Sequence, residues 1–258
     1  MTEMIKPMLA LLPPAEERAL REDEYWDKYQ NLIICSQCHS PRQVRLHLPG
    51  KDMDQIQRMK TEGLQDRYLQ DFTFSNNEGF NPTEIGYAKQ YVANWKTMLY
   101  KNKGLLLWGD VGTGKTFIAG CIANALIAQC VPVLMTNFPR ILNALASLRD
   151  LDRNQYVDSL NKYRLLILDD LGVGRSTDYA REQLFHVIDS RCRSRKPMLI
   201  TTNLSLDELK NTADPDLHRI YDRILAQCIP VKVNNANIRR LKTDSEFDEM
   251  RGLLSACG

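Results

Sequence analysis

The stretch GDVGTGKT, residues 109–116, constrains the fold of this chain more than any other part of its sequence. It follows the pattern G-x-x-x-x-G-K-T, in which glycines allow successive backbone N–H groups to point at a phosphate. A short apolar run at residues 104–108 precedes it, and a run rich in Ala, Ile and Leu follows it. A strand, a glycine turn and a helix are the context that this pattern needs, because the start of the helix adds its positive dipole end. The predicted phosphate-binding residues are Gly109, Asp110, Val111, Gly112, Thr113, Gly114, Lys115 and Thr116.

Two neighbouring acids, Asp169 and Asp170, end a second apolar run at residues 165–168. A buried strand that ends in acids, downstream of a phosphate-binding loop, is typical of the metal-binding element of P-loop nucleotide hydrolases. We expect Asp169 to hold Mg²⁺ together with the hydroxyl of Thr116, and Lys115 to reach the β- and γ-phosphates of a nucleotide. Asp170 is then placed to orient or deprotonate the attacking water. Without the preceding loop, the same acids would indicate only the polar end of a strand.

Three polar residues further along the chain complete the predicted site. Asn203 ends the next apolar run, where its amide can hydrogen-bond the γ-phosphate or the attacking water; the alternative is a turn residue. Arg223 lies on a predicted helix and is the candidate for reaching the γ-phosphate of a neighbouring subunit, because a guanidinium binds phosphate oxygens in a fork. The alternative for Arg223 is a surface ion pair. Arg239, after the last predicted strand, is the candidate for contacting the phosphates within the same chain.

Apolar runs alternate with helical patterns through the middle and end of the chain, which predicts an α/β fold with a parallel sheet covered on both faces. Ligands of such sheets gather at the carboxyl ends of the strands. A helix over residues 85–101 is expected to lead into the first strand, and we place a domain boundary near residue 70. The predicted strands cover residues 104–108, 131–136, 165–170, 198–203 and 229–233.

The region before residue 70 carries different signals. Residues 15–30 predict a charged helix with a thin apolar stripe, which either packs on its own domain or docks to another protein. Cys35 and Cys38 form a C-x-x-C pair that indicates half of a zinc site or a redox pair. A structural Zn²⁺ site needs four ligands, and the nearby candidates to complete it are His39 and His47.

Composition limits the classes of partner. The formal net charge is +2, so any contact with nucleic acid must come from a local patch. The candidate patch is RCRSRK, residues 191–196, with Arg193 and Arg195; the alternative is cations placed at the end of a helix, where its dipole favours them. The 7 cysteines are scattered, and neither a secretory leader nor a stretch of membrane-spanning length is found. We therefore expect a soluble cytoplasmic protein with reduced thiols and no membrane partner.

Taken together, the motifs resemble the DnaC-type helicase loaders, which are AAA+ ATPases of bacterial and phage replication related to the IstB transposition ATPases. The resemblance covers roughly residues 72–240 in motif order. C-x-x-C resembles the start of a zinc-binding region in some of these proteins, although the second cysteine pair is missing here. The segments that carry the resemblance are GDVGTGKT, LLILDDLG, KPMLITTNLSLDEL, RIYDRIL and NIRR.

The resemblance implies an AAA+ P-loop NTPase with a parallel five-stranded sheet, which binds ATP and Mg²⁺. It implies a replicative hexameric helicase and single-stranded DNA as partners. Since Asp170 stands where the family often has Glu, we expect weak, switch-like hydrolysis that DNA or a partner stimulates. The implied roles are Walker A for Lys115 and Thr116, Walker B for Asp169 and Asp170, sensor one for Asn203, the arginine finger for Arg223 and sensor two for Arg239.

The expected domain layout is a partner-binding region over residues 1–70, an AAA+ domain over residues 71–245 and a tail over residues 246–258. Fewer than about twenty residues follow Arg240, which is too few for a full helical lid domain. We therefore expect a neighbouring subunit to help close the nucleotide site, and ATP to promote self-association. Three other functions stay open: an IstB-type ATPase that assists a transposase, a small-molecule kinase, and an ATP-gated interaction protein without useful hydrolysis.

Overall fold

The computed structural model describes residues 24–27, 32–35, 41–42, 50–172, 177–235, 237–240, 243, 247 and 250–251. The chain divides into two compact units, Met1–Arg58 and Met59–Gly258. Each unit is described by itself below.

The first unit contains a small antiparallel sheet of three strands, β1 (Glu24–Asp27), β2 (Leu32–Cys35) and β3 (Pro41–Arg42), in the order β1-β2-β3. The helix predicted over residues 15–30 is therefore wrong at β1; the rest of that range lies outside the described residues. β1 contains Tyr25 and Trp26, whose aromatic side chains favour strands, and it pairs with the aliphatic β2 so that Glu24 lies opposite Cys35. The spacing of apolar residues along one segment cannot show that this segment pairs with another. Helix α1 follows at Gly50–Gly63.

A parallel sheet of five strands forms the centre of the second unit, as predicted. Its strands pair in the order β5-β6-β7-β4-β8, and all four pairings are parallel. The middle strand β7 is buried along its whole length, and the apolar part of β6 is equally buried, which explains their continuous apolar runs. The strands are β4 (Gly104–Trp108), β5 (Val133–Asn137), β6 (Leu165–Leu171), β7 (Met198–Thr202) and β8 (Cys228–Lys232).

Helices flank this sheet and contribute buried apolar residues to the same core. A capping box lies at Ser205, since its side chain accepts from the N–H of Glu208 and the Glu208 carboxylate accepts from the N–H of Ser205. The helices are α2 (Pro82–Ala93), α3 (Trp95–Tyr100), α4 (Lys115–Ile127), α5 (Phe138–Ala146), α6 (Asp150–Leu160), α7 (Asp178–Arg193), α8 (Leu206–Lys210) and α9 (Pro215–Gln227).

The single helix predicted over residues 85–101 is interrupted. α2 ends and α3 begins on either side of Asn94, whose side-chain amide donates to the carbonyl of Gln90, 2.9 Å away. Asparagine competes with helical backbone hydrogen bonds in this way, so a periodic apolar pattern can run across a break in the helix.

The segment that follows α1 belongs to the second unit, although it lies before the boundary expected near residue 70. Leu64 forms an isolated parallel bridge with Met135 of β5. Asp66 forms an ion pair with Arg140 of α5, with 2.7 Å between the charged atoms. The boundary between the two units, after Arg58, therefore lies earlier in the chain than the boundary expected near residue 70.

Candidate nucleotide site

A cavity of about 380 Å³ opens at the carboxyl ends of β4, β6 and β7. Its position is the one expected for ligands of a parallel sheet. Its wall combines residues from the glycine loop, the acidic end of β6, the residue that follows β7 and the segment after β8. The predicted site residues that line it are Val111, Gly112, Gly114, Lys115, Thr116, Asp169, Asp170, Asn203 and Arg239.

The glycine loop between β4 and α4 has a backbone that only glycine adopts easily. Gly109, Gly112 and Gly114 have φ angles of 138°, 82° and 99°, in the left-handed region. A Cβ at Gly112 would lie 2.1 Å from the side-chain oxygen of Asn237, so the loop and the segment after β8 are in close contact. The N–H of Ile238 donates to the carbonyl of Gly112 over 2.9 Å and holds that segment against the loop.

Lys115 opens helix α4 and is buried. Its ammonium donates to the carbonyls of Gly109 and Asp110 over 2.8 and 2.7 Å. Burial lowers the pKa of Lys115, while the carboxylates of Asp170, Asp110 and Asp169 act in the opposite direction. A cation that is partly desolvated and surrounded by a glycine cradle is suited to binding an anion.

Asp169 and Thr116 are in direct contact, as the sequence predicts for a shared metal site. The Thr116 hydroxyl donates to Oδ1 of Asp169 over 3.1 Å, and the Thr201 hydroxyl donates to the same oxygen over 2.7 Å. Burial raises the pKa of Asp169, and the two hydroxyl hydrogen bonds partly oppose this rise. A carboxylate and a hydroxyl are oxygen ligands of the type that Mg²⁺ prefers, so this pair fits the metal.

Asp170 owes its place in the cavity to a bulge in β6. Leu168 pairs with Ile200 and Leu171 pairs with Thr202, so β6 has one residue more than β7 over this interval. Asp170 has a φ of 54°, and its N–H donates to the Thr201 hydroxyl over 2.8 Å. Successive residues of a regular strand point to opposite faces, whereas here both Asp169 and Asp170 line the cavity.

The model of IstB-like ATP binding proteins matches residues 49–246, which is most of the chain. The chain belongs to this family. ATP is the ligand for which the family is described. This match, together with the relatives and the solved structure given next, confirms the predicted relation to DnaC-type AAA+ loaders.

Three curated relatives illustrate the range of this family. The replicative helicase loader DnaI of Bacillus subtilis is 29% identical over 150 residues, which cover 54% of this chain and 48% of DnaI. The replicative helicase loader DnaC of Escherichia coli K12 is 26% identical over 170 residues, 63% of this chain and 66% of DnaC. A protein of Sinorhizobium fredii, described as an insertion sequence ATP-binding protein, is 30% identical over 152 residues, 58% of this chain and 51% of that protein. The chain thus spans 48% to 66% of the length of these relatives.

A solved structure shows the same fold. The crystal structure of DnaI is similar with a TM-score of 0.56 and 25% sequence identity, covering 65% of this chain and 93% of that chain. The predicted AAA+ fold is confirmed by this likeness and by the order of the strands.

Arg223 lies apart from the residues of the cavity in this IstB-like chain. Its Nε donates to Oδ1 of Asp189 on α7 over 3.1 Å, and its guanidinium lies over the ring of Phe185, 4.6 Å from the ring centre. The side chain is 35% exposed. The structure therefore does not bring Arg223 to the site of its own chain, and its role toward a neighbour stays a prediction.

Most of the basic run over residues 191–196 has partners within the IstB-like domain. Arg191 is fully buried and donates to the carbonyls of Tyr163, Arg164 and Pro197, and burial lowers its pKa to about 10. Lys196 donates to a backbone carbonyl. Arg193 pairs with Asp189 over 3.1 Å. These contacts favour the structural interpretation of the run over a DNA-binding patch.

The predicted zinc ligands are only partly described. Cys35 ends β2, and Cys38 lies outside the described residues, as do His39 and His47. Within the part of the chain that the structure describes, no group of three or more His, Cys, Asp or Glu side chains could hold a metal ion. The zinc site stays a prediction. Among the described residues, no helix combines the length and apolar character needed to cross a membrane.

Two further polar side chains, missed by the sequence analysis, hydrogen-bond the glycine loop or the acids. Asn81 is buried, lies before α2 and donates from its amide to the carbonyl of Thr113 over 2.8 Å. Thr201, with its contacts to both acids, is the other. A hydroxyl inside an otherwise apolar strand was the available signal for Thr201; Asn81, next to Pro82, indicates only a helix start.

Proposed function

We propose that this protein is an ATPase switch that loads a replicative DNA helicase onto single-stranded DNA. The observation that carries this proposal is the cavity in which a buried lysine, a hydroxyl and two carboxylates meet at the carboxyl end of an AAA+ sheet. The names of its relatives DnaI and DnaC support helicase loading as the task.

In the proposed mechanism, the loop N–H groups and Lys115 bind the phosphates of ATP. Thr116 and Asp169 would hold Mg²⁺, which would supply positive charge against the phosphates. Asp170 orients the attacking water, and Asn203 hydrogen-bonds that water or the γ-phosphate. Asn203, Asp169 and Asp170 line one cavity, which supports this division of roles. Hydrolysis yields ADP and phosphate and is slow until DNA or a partner stimulates it.

Two arginines complete the proposed site, one from the same chain and one from a neighbouring subunit. Arg239 lies on the segment that the hydrogen bond from Ile238 to Gly112 holds against the loop, which supports contact with the phosphates of its own chain. Arg223 is lent to the site of a neighbouring subunit, so that ATP promotes self-association. Its partial exposure supports this role, since a fully buried guanidinium could not meet another molecule.

The partner that this protein binds decides between two candidate functions. We infer that the region before residue 70 grips the helicase and that hydrolysis releases it. A second candidate function is assistance to a transposase, which the likeness to the insertion sequence ATP-binding protein supports. Both functions use the same nucleotide chemistry, so only the partner separates them.

Tagged protein incubated with host lysate tests this directly, with ATP and Mg²⁺ in one sample and EDTA in the other. Recovery of a hexameric helicase with ATP, and its loss in a Lys115→Ala variant, is the expected result. Recovery of a transposase instead would transfer the assignment to the second candidate.

Two enzymatic tests address the remaining alternatives. DNA-stimulated release of phosphate without a small-molecule acceptor would exclude a kinase. Equal loss of function in Lys115→Ala and Asp170→Asn would show that hydrolysis is needed.

A further inference from the structure

We propose that Thr201 is a positioning residue whose single hydroxyl fixes both Asp169 and Asp170 in the geometry that binds a magnesium–nucleotide complex. This inference rests on the proposed nucleotide site, and it assigns a role to a residue beyond the loop and the acids. Thr201 lies on β7, the strand next to β6, and is fully buried.

The first argument is the hydrogen bonding of the hydroxyl itself. It donates to Oδ1 of Asp169 over 2.7 Å and accepts from the N–H of Asp170 over 2.8 Å. A threonine hydroxyl has one proton to donate, so the donation to the carboxylate fixes its orientation and leaves its lone pairs for the backbone N–H. One atom of β7 thus sets the side chain of the first acid and the backbone of the second.

The second argument is the bulge in β6. The extra residue between Leu168 and Leu171 takes the N–H of Asp170 out of the regular ladder with β7. An N–H that is partly shielded from water is costly to leave without an acceptor, and the hydroxyl of Thr201 supplies that acceptor. The hydroxyl therefore stabilises the left-handed conformation of Asp170 that brings the second carboxylate to the cavity.

The third argument is the choice of carboxylate oxygen. Thr116 and Thr201 both donate to Oδ1 of Asp169, and no described residue donates a hydrogen bond to Oδ2. A carboxylate held through one oxygen presents the other in a fixed direction. Groups that orient a metal ligand in this way commonly change metal affinity by about 10- to 100-fold when they are removed.

Thr202 provides a matched control on the same strand. It is equally buried, and its hydroxyl also supports the bulge, donating to the carbonyl of Leu171 over 2.7 Å and accepting from the N–H of Leu204 over 3.1 Å. It contacts neither acid. If threonine hydroxyls serve only to keep β6 and β7 together, the two positions should behave alike.

The experiment measures binding of a fluorescent ATP analogue to the full chain in EDTA and across a titration of Mg²⁺, together with thermal unfolding. For Thr201→Val we expect the Mg²⁺ concentration that gives half of the maximal change in binding of the analogue to rise by about tenfold or more. The affinity of this variant for the analogue in EDTA should change less than about twofold. Thr201→Ser, which keeps the hydroxyl, should retain the Mg²⁺ response. Thr202→Val should retain it too, even if its melting temperature falls.

An unchanged Mg²⁺ response in Thr201→Val, or an equal loss in Thr202→Val, would overturn the role of Thr201 while leaving the nucleotide site intact. If the wild-type chain does not bind the analogue at all, both this inference and the nucleotide site fail. Should Thr201→Val not fold, Thr201→Ala and Thr201→Ser form a pair that differs only in the hydroxyl. Equal Mg²⁺ responses in that pair would overturn the inference.

Discussion

Asp169 carries a charge that the fold itself disfavours. Burial raises its pKa, even though the hydroxyls of Thr201 and Thr116 and the ammonium of Lys115 oppose the rise. The folded chain therefore binds the Asp169 proton more tightly than the unfolded chain does. This contribution to stability is fully present below the ordinary carboxyl pKa and is lost as the pH rises through the raised value.

Asp169→Asn should accordingly raise the melting temperature of the nucleotide-free protein at pH 7, because the amide removes the buried charge and can still accept both hydroxyl hydrogen bonds. The gain over wild type should shrink as the pH falls toward the ordinary carboxyl pKa. Asp222→Asn, at an exposed position of α9, is the control and should show no such gain. A lower melting temperature for Asp169→Asn at pH 7 would contradict the direction of this pKa shift.

Gly112 offers a test of the glycine cradle. Alanine there must adopt a φ of 82° and place a Cβ 2.1 Å from Asn237, which would displace the segment that carries Arg239. Gly79 has almost the same φ, 85°, but nothing lies within 4 Å of a Cβ. We expect both alanine variants to lose roughly 1 kcal/mol of stability to backbone strain. Only Gly112→Ala should weaken nucleotide binding, by about tenfold or more in a titration with an ATP analogue.

At the level of elements, the start of α2 is tied to the glycine loop through Asn81. Its amide donates to the carbonyl of Thr113, and its backbone has a φ of 51°, which asparagine tolerates better than most residues. The cavity wall formed by residues before α2 is thereby connected to the phosphate-binding loop. A contact of this kind is a route by which α2 can affect the loop.

We expect Asn81→Gly and Asn81→Ala both to weaken binding of the ATP analogue several-fold, because each leaves the buried carbonyl of Thr113 without its donor. Glycine accepts the left-handed backbone and alanine does not, so Asn81→Ala should also melt at the lower temperature. Binding titrations and melting curves of the two variants separate these effects. Wild-type affinity in Asn81→Gly would show that the tie to the loop has no functional weight.

At the scale of the whole molecule, the parallel sheet could be predicted because β4, β5, β6 and β7 each contain a buried apolar run, whereas β8 is largely exposed. The acids could be predicted from a strand end together with the preceding glycine loop, Asn203 from the end of the next apolar run, and Arg239 from its place after the last predicted strand. Thr201 could not, since its role depends on a bulge and on which strand lies beside β6. The strand β1 was missed for a similar reason, because its pairing with β2 lies outside any single window. For Arg191 the sequence left a basic patch and a helix-end cation open, and neither predicts its burial, because its backbone partners come from distant segments.

Self-association through the ATP site can be tested by mixing two variants, because it requires residues from two molecules. In Lys115→Ala the lysine that we propose binds phosphate is lost while Arg223 remains, and in Arg223→Ala the reverse holds. Each variant alone should hydrolyse ATP at less than about a tenth of the wild-type rate, since an arginine finger contributes orders of magnitude to turnover. Mixing them should restore measurable phosphate release, because some interfaces then join an intact site to an intact arginine.

Arg219→Ala, an exposed position one turn earlier on α9, is the control and should keep wild-type turnover. If mixing restores nothing while Arg223→Ala still binds the ATP analogue, Arg223 serves only its own chain, as its contacts with Asp189 and Phe185 would allow.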